Sequence, residues 1–157
     1  MRKLFCIVLA SCVLLCLWGC KKKIEPKTFE FSGLEITLTN EFKEKDSGYL
    51  MLYTDGFKVT IVPSPVSSIN NQDIGEYAQM VAEGLEDLKD FFYGFSDEID
   101  TFVCEYTLDI DGINDRSIVA VYKNAEYYYN VTFTCAVENY EGHKSQFIEW
   151  LKTVRVT

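Results

Sequence analysis

The chain has 157 residues, of which 48 % are hydrophobic, 15 % aromatic and 25 % charged, and its formal net charge is −9. That is enough for one core and not comfortably for two. It is too aromatic for a disordered stalk and too acidic for a protein that neutralises nucleic-acid phosphates.

Arg2 and Lys3 precede an apolar run from Leu4 to Trp18, broken only by Ser11. The run matches a signal-peptide core and is short for a membrane span, which needs roughly 20 residues. It ends in Leu17-Trp18-Gly19-Cys20, followed by Lys21-Lys22-Lys23. This stretch resembles the bacterial lipobox, with an aliphatic residue three before the cysteine and a small residue just before it. Trp18 departs from the small residue commoner at its position. The resemblance implies cleavage before Cys20 and a lipid anchor there, a diacylglycerol on sulfur with palmitate-type acyl chains. The expected organisation is a signal peptide at 1–19, a basic membrane tether at 20–27 and a single domain at 28–157. The expected location is the cell membrane, lipid-anchored, on the extracytoplasmic side. An uncleaved signal anchor or an ordinary secretory peptide is the alternative.

Cys6, Cys12 and Cys16 then leave with the signal, so the six cysteines are not a disulfide framework. After cleavage thirteen basic residues face 24 acidic ones, a net −11; from Thr28 onward nine face 23, a net −14. Anionic headgroups repel such a domain. Lys21, Lys22, Lys23 and Lys27 of the tether would each add roughly 1 kcal/mol of attraction near a membrane. The tether reaches at most roughly 26 Å.

Phe29–Phe31 and Leu34–Thr39 alternate apolar and polar around Gly33 and predict short strands. Tyr49–Thr54 and Phe57–Val62 flank Asp55-Gly56, a two-residue hairpin signal. Pro63-Ser64-Pro65 ends that sheet segment. Asp73 to Leu88 predicts a helix, with Ile74, Tyr77, Val81, Leu85 and Leu88 on one face. Asp73 and Glu76 form a capping pair, and Gly84 weakens the helix by about 1 kcal/mol relative to Ala.

A three-strand meander follows: Thr101–Ile110, Arg116–Lys123 and Tyr127–Ala136, turned at Asp111–Asn114 and around Ala125. Asn139 to Lys152 predicts a second helix, and Thr153–Val156 a last strand. Arg116–Lys123 is apolar on both faces, which calls for cover on both sides of the sheet. The expected fold is a single α+β domain, an antiparallel sheet of about six to seven strands with two helices. A two-layer domain with one open face is the alternative.

This order of elements resembles the Mog1/PsbP/DcrB-like superfamily over about Phe29 to Val156. GLEITLTNEF, DIGEYAQMVAEGL and YYYNVTFTCAVENYEGHKSQFIEWLKTVRV are similar to its opening strand, middle helix and closing strand–helix. Asn40 stands where members often have proline. The resemblance implies an α/β/α sandwich used for docking to partners and brings no shared catalytic residue.

Asp109, Asp111, Asn114 and Asp115 surround Gly112 in the manner of a calcium loop, but no bidentate glutamate follows, and a polar hairpin turn explains them. The meander register places Cys104 opposite about Val121 and Cys135 two strands away, beyond disulfide reach. Both are expected as buried thiols. His143, the only histidine, lies on the core side or border of the second helix and reads as a packed boundary residue rather than a general base. No nucleophile–base arrangement, glycine-rich phosphate loop or Cys-x-x-Cys is present. In Tyr127-Tyr128-Tyr129, alternation sends Tyr128 to the face opposite its neighbours. It is either a helix-covered core aromatic or part of an amphipathic binding patch, and it is the one candidate binding residue.

The resulting expectation is an exported, lipid-anchored, non-catalytic binding or assembly module at the cell envelope, without cofactor or metal. Its partners would be the membrane, through the lipid on Cys20, and an envelope protein or small ligand, but not nucleic acid. The alternative is a small-ligand-binding component of an envelope transport or stress system, which would show a deep aromatic pocket instead of a flat apolar patch.

Overall fold

The computed structural model describes residues 23–46, 48–70 and 72–157. Cys20 and the expected signal peptide lie outside the described residues. The elements run β1 (Pro26–Phe31), β2 (Leu34–Thr39), β3 (Lys43–Asp46), β4 (Leu50–Tyr53), β5 (Lys58–Pro65), α1 (Ile74–Glu83), β6 (Lys89–Ser96), β7 (Thr101–Ile110), β8 (Ile113–Lys123), β9 (Tyr127–Ala136), α2 (Val137–Leu151) and β10 (Arg155–Val156). Seven strands form one antiparallel sheet in the order β3-β4-β5-β9-β8-β7-β6, and β1, β2 and β10 form a second, smaller one. β1 begins at Pro26, opposite Thr39, so the last two residues of the expected tether are already strand.

The two-sided apolar character of β8 has the anticipated cause. Ile118 and Ala120 point into the larger core, beneath Tyr140, Phe147 and Leu151 of α2 and beside Leu34, Ile36 and Leu38 of the small sheet. Val119 and Val121 point the other way and are covered by Ala82, Tyr77 and Ala78 of α1. The domain is therefore layered, with α1 on one side of the seven-stranded sheet and α2 plus the small sheet on the other.

Four sequence expectations need correction. Pro63-Ser64-Pro65 does not end the sheet segment: β5 runs through Pro65, which is paired with Tyr127 of β9. The first helix stops at Glu83, and Gly84 is its C-cap. The apolar series beyond it is not helical: Leu85 packs against the Cys104 cluster, and β6, a strand that periodicity hid, begins at Lys89. The β7–β8 turn is tighter than expected. Asp111 and Gly112 both adopt positive φ, which suits a two-residue hairpin turn. The register consequently shifts by two, and Cys104 faces Val119. β3 was also unforeseen, because KEKD carries no apolar alternation. At the start of α1 the anticipated capping box is in place. The Asp73 carboxylate accepts from the Glu76 amide at 2.9 Å and the Glu76 carboxylate from the Asp73 amide at 3.1 Å.

Candidate functional site

Tyr128 is not a surface residue. It is fully buried under α1, stacked on Tyr77 with ring centroids 4.2 Å apart. Its hydroxyl donates to the Gln72 carbonyl, and the Lys123 ammonium lies 4.8 Å from its ring centroid and donates to the same carbonyl at 2.7 Å. Of its two readings, helix-covered core aromatic or open binding patch, the burial matches the first, so Tyr128 does not serve as an exposed binding residue. The three tyrosines alternate faces along β9 as the strand pattern implies, and α1 lies over the Tyr128 position.

Cys104 and Cys135 are free and buried. Cys104 belongs to the cluster beneath α1 and Cys135 to the core beneath α2, so they lie on opposite faces of the sheet. Burial pushes both thiols up to about 11, with Asp115 and Glu138 adding to the effect at Cys135. Both are thus protonated at neutral pH and poor nucleophiles.

A cleft of about 850 Å³ lies between α2, the β4–β5 turn and the end of β2. Its walls include Phe42, Phe57, His143 and Trp150. The Phe57 ring meets His143 edge-on at 4.7 Å and Trp150 edge-on at 5.9 Å, and Phe42 meets Trp150 at 5.4 Å. Thr54 shapes the turn: its hydroxyl accepts from the Gly56 and Phe57 amides, which tucks Phe57 against α2. The rim carries Glu41, Asp55, Glu149, Lys43 and Tyr53, and Ile24, two residues before β1, closes one side. Lys152 holds Glu149 at 2.6 Å and Glu98 at 2.9 Å. Among the described residues no hydrogen bond joins His143 to a serine, a cysteine or a carboxylate. The cleft offers aromatic faces and hydrogen-bonding rims, which suits binding.

Reasoning from sequence missed a buried ionic cluster. Glu105 on β7, almost fully buried, accepts from the Tyr140 hydroxyl at 2.9 Å. It also pairs with Lys144 at 2.7 Å and Arg116 at 3.5 Å. Arg116 lies 4.9 Å from the Tyr140 ring and 3.7 Å from Asp90, whose carboxylate accepts from Thr107. Burial, then the Glu105 charge, holds the Tyr140 hydroxyl far above its ordinary range. The cluster ties α2 to β7 and β8. Its one sequence signal was a charged residue on the same strand face as Val103 and Thr107.

No protein-family model matches the sequence, and no curated protein matches it. Among solved structures, the chain is similar to the cyanobacterial PsbP (CyanoP) from Synechocystis sp. PCC 6803. The TM-score is 0.58 at 12 % identity, covering 88 % of this chain and 96 % of that one. The Pseudomonas aeruginosa protein of unknown function PA94 aligns with a TM-score of 0.48 at 11 % identity, covering 82 % and 95 %. The fold is thus that of a PsbP-like α+β domain. At that identity the likeness to CyanoP extends to the fold.

Proposed function

We propose that this chain is an exported, non-catalytic binding or assembly module, anchored to the outer side of the cell membrane by a lipid on Cys20. The observation that carries the reading is the position of the aromatic cleft. Ile24 forms part of its wall and lies four positions after Cys20, roughly 13 Å at full extension. A partner held in the cleft would be held at the bilayer surface. The packing of His143 between phenylalanines and the raised thiols of Cys104 and Cys135 support binding over catalysis. The size of the cleft favours a second reading, a small-ligand carrier of an envelope transport or stress system, since ligand pockets span about 300–1,000 Å³.

The test is mass spectrometry of membrane-extracted protein together with complementation by variants. A lipid-modified peptide beginning at Cys20 is expected. Cys20→Ser should leave the membrane, and His143→Gln should keep full function. Retention of Met1, or loss of all function in a well-folded His143→Gln protein, would defeat the proposal.

A further inference from the structure

The two edges of the seven-stranded sheet are not alike. β3 is short and alternates lysine with acidic residues, a common guard against unwanted strand pairing. β6, at the other edge, is eight residues long, contains four aromatics and has no proline. A register shift between Lys89 and Phe92 disrupts only its start, and Phe92–Ser96 runs in regular register with β7. The outward main-chain groups of an edge strand are free to pair with a further strand.

The aromatics sit as a clamp on this edge. Phe95 is paired across from Phe102 and shares the α1 face with Tyr93, whereas Phe92 is paired across from Glu105 and shares the α2 face. The Phe92 ring lies over Gly94, where a Cβ would come within 3.1 Å of it. Phe92 is 51 % exposed and Phe95 52 %. An added strand would cover one phenylalanine on each of its own faces.

Charge selects among occupants. Glu86 and Asp87 precede β6, and Asp97 and Asp100 follow it; all four are exposed, and none makes an ion pair among the described residues. Antiparallel pairing of two copies through β6 would bring Glu86 and Asp87 of one against Asp97 and Asp100 of the other, a repulsive arrangement. The same carboxylates attract basic residues at the ends of a foreign strand. We infer that β6 is a docking edge that takes, by strand addition, an extended segment of a partner protein with an apolar centre and lysine- or arginine-rich flanks. The inference does not rest on the tether or the cleft.

The experiment is fluorescence anisotropy of the full chain in detergent with two labelled peptides, KKTVTFTVKK and EETVTFTVEE. The basic-flanked peptide is expected to bind and the acidic-flanked one not to. Phe92→Lys and Phe95→Lys, both at half-exposed positions, should abolish binding. Asp97→Lys combined with Asp100→Lys should weaken the basic-flanked peptide about tenfold and admit the acidic-flanked one. These exposed substitutions decide the matter should the phenylalanine variants unfold. Binding that ignores flank charge or survives the edge substitutions would overturn the inference. So would a dimer in sedimentation that Phe95→Lys dissociates, which would make the occupant a second copy.

Discussion

Replacing Tyr128 by alanine tests where the strand's aromatic positions have been placed. The ring is wholly buried, stacked on Tyr77 and under the Lys123 ammonium. Truncation would leave a cavity between β9 and α1, and large aromatic-to-alanine changes in cores cost about 3–5 kcal/mol. The lost stacking belongs to that figure, at roughly 0.5–1.5 kcal/mol. Tyr128→Phe should cost less than about 1 kcal/mol, because the Gln72 carbonyl still accepts from Lys123 at 2.7 Å. Against a total stability of about 5–15 kcal/mol, the alanine change should lower Tm by roughly 10–15 °C. Urea unfolding followed by circular dichroism reads both variants. A Tyr128→Ala protein within about 0.5 kcal/mol of the parent would refute the burial and return the residue to the surface.

Two further outcomes follow from the buried titratable groups. Burial raises the Cys104 and Cys135 thiols from 9.0 to about 11, so the unfolded chain ionises first and stability should fall as pH rises from about 9 to 11. The Cys104→Ala, Cys135→Ala double variant should show a shallower decline in urea titrations across that range; an unchanged slope would contradict the assignment. Tyr93, Tyr122, Tyr129 and Tyr140, all held high by burial, contribute to the decline that remains. Glu105→Gln keeps an acceptor for the Tyr140 hydroxyl but removes the charge between Lys144 and Arg116. It should cost about 3 kcal/mol in chemical denaturation, and a loss below about 1 kcal/mol would mean that the cations stay solvated without it.

Much of the fold was legible locally. The Asp73–Glu76 capping box, the alternation of TFVCEYTLDI and the three tyrosines, and the apolar stripe of the second helix each depend on residues a few positions apart. Backbone periodicity and capping geometry are encoded at that range. The separation of Cys104 from Cys135 was reached with a register two residues out, and it held because the two thiols lie on opposite faces of the sheet, a stronger obstacle than distance along it. β6 escaped because FFYGF shows no alternation, and its strand character comes from pairing with β7.

By itself the sequence determined the class of fold, the two-sided burial of β8, the acidity of the domain and the apolar run that ends at Cys20. Each follows from composition or from contacts between near neighbours in the chain. Only the tertiary structure decided that Tyr128 lies under α1, that Glu105 meets Lys144 and Arg116, that Phe57 and Trp150 line one cleft with Ile24, and that β6 is left at an edge. Strand order and helix placement are set by pairing and packing between residues far apart in the chain, so the local pattern of a strand leaves open whether its next neighbour is another strand, a helix or water.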